Sequence, residues 1–436
     1  MLPFVEASIP TTDQPRIVIL GAGFAGMRLA TRLKRSPYQV VLIDKNNFHQ
    51  FQPLFYQVAT AGLTPSSISF PIRKAFHGHN NLHFRMADIE RINLDEKRVH
   101  TSIGSVRYDH LVIATGADTN YFGNRSIEHH AYPMKSVQEA LLLRNHMLQC
   151  FEHALISDDP SEIDALMNVV IVGGGPTGTE VAGALAEMKR YVLPGDYPEL
   201  DFDRMQIALL EGTPRLLNGM SEASGEKAKR FLASLGVKVS SHTVVSAYDG
   251  RIAETKEGER YPTRTLIWAA GIKGNPVKGI LEQLIAPNGR ISVDPFNRVK
   301  GLDAVFAIGD IALMEGEGHE RGHPQVAQVA IQQADRLVEN LKGDQPGKAW
   351  KPLKYKDLGS MATVGRNKAV VDLPWFHFKG FFAWVFWLFV HLMAILGVKN
   401  KLMIYLEWMW NYITFDQSLR LVIKQKPDNQ GDRASD

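Results

Sequence analysis

Cysteine is almost absent: the 436 residues hold one, Cys150. A single thiol excludes a disulfide framework, a redox-active cysteine pair within the chain, and a cysteine-ligated zinc or iron–sulfur centre, each of which needs several thiolates. Cys150 lies in the helical pattern 141–155 and reads as a small core or surface residue. An excess of one charge is lacking too. The 49 Lys and Arg face 46 Asp and Glu for a net +3, which is no nucleic-acid footprint. Residues 1–14 contain Glu6 and Asp13 but neither a basic n-region nor an apolar h-region, so they are expected to form a short flexible arm, not a signal or transit peptide. Long apolar runs are missing before residue 380. At this length two or three domains are expected.

What is present is one phosphate-binding device, twice. Gly21-Ala22-Gly23-Phe24-Ala25-Gly26 follows the apolar run 16–20, and Gly173-Gly174-Gly175-Pro176-Thr177-Gly178 follows 168–172. Each reads as strand, tight turn and helix start. The first glycine makes the turn, the second lets backbone approach a pyrophosphate, and the third lets helix pack on strand, with the helix N-terminus facing the anion. One such motif is weak evidence; two in strand–turn–helix context imply two dinucleotides held by one chain, and hence electron transfer between them.

The acidic residues fall where ribose hydroxyls would be met. Helix 24–35 leads to strand 39–43 and Asp44, eighteen positions after Gly26. Asp44 is placed either to accept from a ribose or to sit as a solvated turn residue before Lys45. After helix 178–192, strand 205–210 ends at Glu211, delayed by the loop 194–203. A carboxylate there favours a free 2′-hydroxyl and repels a 2′-phosphate, so this site is read as preferring NADH to NADPH, with Arg215 as the residue that would soften the preference. Further strands are expected at 82–87, 97–101, 108–116, 237–240, 244–247 and 265–271, with a helix at 221–235. The run 305–310 is a buried strand closing on Gly309-Asp310, where an Asp can accept from a ribityl hydroxyl or serve as a plain turn residue. The helix from Gln325 to about Leu341 puts Gln328 and Gln332 on one face, either as polar surface or as an edge facing a ring. Glu180 falls just inside the second helix, where the dipole favours its carboxylate; it either compensates that dipole, holds a ring or relays a proton.

The tail changes character. Residues 380–398 contain one polar side chain, His391, and 402–412 are aromatic and amphipathic. Five of the seven tryptophans (375, 384, 387, 408 and 410) lie here, with Lys379, Lys399 and Lys401 flanking the apolar stretch. Two helices in a membrane interface are favoured over one span or a buried or dimer-forming helix, since about twenty apolar residues are needed to cross and lysines at both ends orient nothing.

Taken together, Gly21–Gly26 with Asp44, the stretch 47–59, Ala114-Thr115-Gly116, Gly173–Glu180, Ala269-Ala270-Gly271, Gly309-Asp310, the block Ala327-Gln328-Val329-Ala330-Ile331-Gln332 and the tail 408–412 resemble the type II, non-proton-pumping NADH:quinone oxidoreductases over roughly 15–423. The resemblance implies an α/β chain of two Rossmann-like domains, an FAD domain (1–122 and 295–372) interrupted by an NADH domain (123–294), with a membrane-facing segment at 373–436. It implies FAD contacted by Gly21, Gly23, Gly26, Asp44, Lys45, Ala87, Thr115, Gly116, Gly309 and Asp310. It implies NADH contacted by Gly173, Gly175, Gly178, Glu180, Glu211 and Gly271, and no metal. Catalytic roles fall to Glu180, Gln328 and Gln332, with a quinone reaching the flavin from the membrane. The family pattern further implies a homodimer, monotopic on the cytoplasmic face of a bacterial inner membrane. Hydride transfer to a flavin needs the cofactors held in position rather than a triad or metal. The nearest enzymatic rival, sulfide:quinone oxidoreductase, needs paired cysteines and this chain has one; the rival from another class is a flavoprotein signalling or interaction module whose tail docks a protein.

Overall fold

The structure of the chain is a computed structural model that describes residues 6–316, 318–344, 349–415 and 419–422. It divides into two compact units: Met1–Phe51 with Ser69–Asn120 and Gly271–Gly359, and Gln52–Ile68 with Tyr121–Ala270 and Ser360–Asp436. Thus residues 52–68 group with the inserted unit and 271–294 with the first, whereas the sequence pattern put the insert at 123–294.

In the first unit five parallel strands lie in the order Val305–Ala307, His110–Ile113, Arg16–Leu20, Gln39–Asp44, Leu82–Met86. Their near-continuous Val, Ile and Leu reflect burial on both faces. The period-two geometry sorts them. Ile17, Ile19, Val40, Leu42, Phe84 and Val112 pack toward the helices Phe24–Arg32 and Ala327–Lys342. Val18, Leu20, Val41, Ile43, Leu111 and Ile113 pack with Ile92, Val99 and Val106 of a three-stranded antiparallel sheet at 89–107. The expected loose N-terminal arm is corrected where it is described. Ala7 is buried and its N–H donates to Ser105 O, and the Gln39 side-chain Nε2 donates to Pro10 O, so hydrogen bonds to its backbone tie the segment down. Residues 1–5 of that arm lie outside the described residues.

The second unit repeats the plan. Its parallel order is Tyr132–Pro133, Thr265–Trp268, Val169–Val172, Ile207–Glu211, Lys238–Ser241, and an antiparallel sheet at 245–262 covers Val170, Val172, Leu210 and Leu266. Cys150 is buried in the helix Val137–Leu155, which starts at a Ser136–Glu139 capping box; burial pushes its thiol up to about 11, so it stays an unreactive packed residue.

A hairpin sheet (Ser360–Thr363, Ala369–Leu373, Phe376–Lys379) follows, then two helices, Phe381–Ala394 and Val398–Thr414. The apolar run 380–398 is therefore not one helix: it ends at Ala394, and Gly397, at φ 83°, opens the next. No helix among the described residues is long and apolar enough to cross a membrane. Residues 416–418 and 423–436 of the tail lie outside the described residues.

Asp372 ties the hairpin to the helix Glu222–Ser234. Its carboxylate accepts Ser221 N–H and Ser224 Oγ–H, each at 2.7 Å, and pairs with His377 Nδ1 at 2.8 Å. Burial pushes this carboxyl up, but the Ser224, Ser221 and His377 hydrogen bonds together outweigh it and hold it below the usual range. Asp372→Ala strands those donors and should cost about 2 kcal/mol. The contribution exists above the ordinary carboxylate pKa and is lost as pH falls through the lowered one, so the gap between the melting curves of variant and parent should be full at pH 7 and shrink only as pH falls below the ordinary carboxylate range.

Candidate active site

Both glycine turns have the expected steric form. Gly21 stands at φ 102°, where an added Cβ would meet Ala114 O at 2.3 Å, and a Cβ on Gly26 would meet Gly21 O at 1.9 Å. Gly173 (φ 108°) against Ala269 O and Gly178 against Gly173 O repeat these contacts at 2.5 and 1.9 Å. Around Gly23 and Gly175 nothing lies within 4 Å of the added atom, so the middle of each turn is an open cradle. The helices Phe24–Arg32 and Pro176–Tyr191 that start there have no side-chain cap; Ala327–Lys342, Phe381–Ala394 and Val398–Thr414 lack one too, so what marks the first two is the tight glycine turn before them. Free N–H groups over an open glycine cradle are what a pyrophosphate requires, so the residues fit two dinucleotides.

Asp44 and Glu211 are equivalent. Asp44 accepts Ala22 N–H at 2.6 Å and Asn46 N–H at 2.7 Å; Glu211 accepts Gly174 N–H, and Thr213 N–H at 2.6 Å. Each carboxylate therefore braces its own glycine turn and keeps spare lone pairs for a ribose. Burial raises the Asp44 carboxyl above its usual range against the Asn46 and Ala22 hydrogen bonds. Arg215 donates to Asn218 Oδ1 at 3.1 Å, which engages the one cation expected to soften the Glu211 preference.

The remaining expected contacts line strand ends. Lys45 is exposed just beyond Asp44, and Ala87 is buried with its N–H on Asp44 O. Thr115 Oγ1 donates to Asn275 O at 2.7 Å and Gly116 takes φ 69°. Gly271 belongs to the first unit, its carbonyl accepting Asn120 N–H. Gly309 stands at φ 77°, and Asp310 accepts Gln325 Nε2 on its carbonyl.

Gln328 and Gln332 clasp an extended segment of chain. Gln332 donates to Lys356 O at 2.8 Å and accepts Lys356 N–H at 2.9 Å; Gln328 donates to Gly359 O at 3.2 Å and accepts Leu358 N–H at 2.9 Å. The neighbouring Gln333, buried, accepts Gly309 N–H at 2.6 Å. It was missed, although a polar residue among Val329, Ala330, Ala334 and Leu337 on the apolar stripe was a readable signal. His49, also missed, is buried with Nδ1 2.8 Å from Ala22 O; burial lowers its pKa.

Glu180 is 7% exposed. It lines a cleft of about 110 Å³ with Tyr56, Glu187, Thr363, Trp384 and Trp387. Burial pushes its carboxyl up to about 8, against the Thr363 N–H, which pulls the other way. The expected dipole stabilisation of its carboxylate is thus corrected: Glu180 lies past the first turn of Pro176–Tyr191, where the dipole has faded and desolvation wins. His391, the polar residue of the apolar run, stacks on Trp387 at 3.9 Å, and burial holds it down at about 4.

Two uncapped dinucleotide cradles with an aromatic-lined acid define a flavin- and nicotinamide-dependent oxidoreductase. Residues 15–334 match the pyridine nucleotide-disulphide oxidoreductase family and residues 358–414 the NDH2 C-terminal domain. The type II NADH:quinone oxidoreductase Ndh of Mycobacterium tuberculosis is 33% identical over 423 residues, 93% of this chain and 90% of that protein. The type II NADH:quinone oxidoreductase of Staphylococcus aureus is 26% identical over 82% of this chain and 89% of its own length. A solved structure of NDH2 from Plasmodium falciparum in complex with NADH shares the fold at a TM-score of 0.86 and 22% identity, covering 94% of this chain and all of that one. The chain belongs to the type II NADH:quinone oxidoreductases.

Proposed function

We propose that FAD is held by the first cradle and NADH by the second, and that Glu180 supplies the proton a quinone needs on reduction. The activity is non-electrogenic oxidation of NADH coupled to two-electron reduction of a quinone. FAD, when bound, supplies the hydride acceptor and passes the electrons on. The observation that carries the reading is the pair of open, uncapped glycine cradles, one in each unit. Gly21, Gly23 and Gly26 seat one pyrophosphate, with Asp44, Lys45, Ala87, Thr115, Gly116, Gly309 and Asp310 along the FAD. Gly173, Gly175, Gly178 and Glu211 seat the other, with Gly271 beside the NADH. Gln328 and Gln332 act at the quinone edge by holding residues 356–359 in place. Glu180, protonated at neutral pH, gives up its proton and must be reloaded.

Glu211 disfavours the 2′-phosphate of NADPH. Glu211→Gln removes that charge while keeping one acceptor oxygen, and should narrow the ratio of kcat/KM for NADH over NADPH roughly tenfold, about 1.4 kcal/mol. Steady-state kinetics with both nucleotides give the answer, and an unchanged ratio places the discrimination elsewhere.

The chain rests on a lipid surface through its tail. Phe381, Val385, Phe389 and Met393 recur every four residues, all exposed, and Leu402, Leu406, Met409, Trp410 and Ile413 stand exposed on the next helix. Trp375 is 95% exposed. An apolar patch of this extent rimmed by Lys379 and Lys399 suits a headgroup–acyl boundary. A homodimer, monotopic on the cytoplasmic face of a bacterial inner membrane, is the assembly this reading expects. Replacing Trp375, Phe382 and Phe389 by Ser should lower co-flotation with anionic vesicles at least ~10-fold. Unchanged flotation counts against the lipid surface.

A further inference from the structure

The cleft beside Glu180 lies wholly within the second unit, and most of its polar groups are engaged with one another. Thr363 Oγ1 donates to Lys368 O at 3.2 Å, and Asn411 Nδ2 to Gly62 O at 2.8 Å. Arg366 gives Nη1 to Tyr412 O at 3.0 Å, Nη2 to Asn411 O at 2.7 Å and its backbone N–H to the Glu187 carboxylate. The charges of Arg366 and Glu187 act on each other, so neither calls for an ion from outside. The Tyr412 hydroxyl donates to Asn367 Oδ1 at 3.5 Å, and Trp384 is partly exposed to solvent.

Two buried donors are left over. Trp408 Nε1 lies 2.7 Å from Gln57 Oε1, and Gln57 Nε2 lies 2.7 Å from the Tyr56 hydroxyl. An indole N–H only donates, so the Gln57 atom facing it is the carbonyl oxygen, and the amide nitrogen faces Tyr56. The Tyr56 oxygen is therefore the acceptor in that bond. Its own hydrogen meets no acceptor among the described residues, although the side chain is buried. Trp387 is 1% exposed, and its indole N–H has no partner among the described residues. His391 keeps the indole in place, stacking on it at 22° and bonding Trp387 O through Nδ1 at 2.8 Å. The Tyr56 and Trp387 rings stand 6.4 Å apart on the wall of one cleft. Buried donors are ordinarily paired, so two left open side by side call for an acceptor from outside the chain.

The rest of the cleft specifies that acceptor. It must be neutral, because the Arg366 charge is already met and an anion would lie beside two acids. It must be flat, because tryptophans and Tyr412 form the walls. At about 110 Å³ the space is well under the roughly 300 Å³ of a pocket that encloses a drug-sized ligand, and suits one edge of a ring.

We propose that the Tyr56 hydroxyl and the Trp387 indole together bind one carbonyl oxygen of the quinone and hold the negative charge that gathers there as electrons arrive. This rests on the reading of Glu180 as proton donor at the site of quinone reduction. Hydrogen bonds from fixed donors strengthen as their acceptor gains charge, so the pair favours the reduced oxygen over the starting carbonyl. In each turnover the quinone takes two electrons, one hydrogen derived from the NADH hydride and one proton from Glu180, which regains its own from solvent. The sum is NADH, H⁺ and quinone giving NAD⁺ and quinol. Tyr56 and Trp387 keep their hydrogens throughout. Gln57 and Trp408 are positioning residues, since their bonds leave the Tyr56 hydrogen free for the quinone.

The test uses the FAD-loaded full chain and tetramethylbenzoquinone, whose two carbonyls are equivalent when free. Infrared difference spectra of the oxidised complex should show the carbonyl band split, with one component moved to lower frequency. Tyr56→Phe and Trp387→Phe should each close part of that split. In stopped flow both variants should keep FAD and bleach with NADH at the parent rate, while the limiting rate of reoxidation at saturating quinone falls at least ~10-fold. Gln57→Glu, the same size, offers the phenol a carboxylate, and should reproduce the Tyr56→Phe result with the hydroxyl still present. Should Trp387→Phe lose its flavin, Tyr56→Phe, which removes a single oxygen, decides alone. A parent spectrum without a split, or a split that Tyr56→Phe leaves intact, overturns the two-donor site. A loss that appears only as weaker quinone binding overturns the charge-holding role. A parent-like Gln57→Glu beside a slow Tyr56→Phe overturns the part given to Gln57. Parent-rate reoxidation in Glu180→Gln with the split intact supports the two donors and overturns only the reading of Glu180.

Discussion

Gly26→Ala should purify without its yellow colour. The added methyl would stand 1.9 Å from Gly21 O, a backbone atom that cannot rotate aside. Either the helix Phe24–Arg32 lifts off the strand Arg16–Leu20 or the turn at Gly21 opens, and each removes the N–H groups that face the pyrophosphate. Loss of that cradle should weaken FAD binding at least ~100-fold, about 2.7 kcal/mol. Gly178→Ala makes the same clash with Gly173 O in the other unit. It should leave FAD in place and slow bleaching by NADH by a similar factor. Absorbance at flavin wavelengths after desalting, and the anaerobic bleaching rate, separate the two outcomes. A Gly26→Ala chain that keeps its flavin would mean the first cradle is not where FAD sits.

Glu180→Gln should reduce the quinone half-reaction by ~10²-fold while sparing flavin reduction, the size expected on removing a positioned proton donor. The pH dependence gives an independent check. Burial holds this carboxyl protonated up to about 8, so the parent's reoxidation rate should stay level below that pH and fall as pH rises through it. The Gln variant should lack that limb. Stability should respond to pH as well. The carboxyl is raised from its ordinary 4.5, so the unfolded chain releases a proton that the folded chain keeps, and the parent loses stability as pH rises from about 4.5 to 8. The amide carries no such penalty. Melting temperatures of parent and variant should coincide near pH 4 and diverge in favour of Glu180→Gln toward pH 8. A parent rate that is already falling at pH 6 would contradict the burial account.

The parts legible in the sequence were those where each residue has its own steric reason. Gly21, Gly26, Gly173 and Gly178 announce a close backbone approach, and the Val and Ile runs before them announce strands buried on both faces. Asp44 and Glu211 were placed by strand end, but their bracing of Ala22 and Gly174 was not readable, because a carboxylate's partner on a glycine turn leaves no periodic trace. Gln328 and Gln332 were legible as a pair on one helix face. Their partner, the extended segment 356–359, carries no pattern of its own. The Glu180 cleft was the least visible feature, since Tyr56, Thr363, Trp387 and Trp408 come from four separate stretches that only the folded chain brings together. For the tail, Gly397 was the available signal: a glycine ending an apolar run marks a break between helices better than a continuous span.

The central claim is that one polypeptide holds FAD and NADH in two matched cradles and delivers the electrons to a quinone. Mixing the purified yellow protein with one equivalent of NADH under argon, then with excess quinone, tests it most directly. The account predicts bleaching of the flavin followed by full return of colour, with one quinol formed per NADH. Colour that NADH does not bleach, or that returns no faster with quinone than without it, would contradict the account.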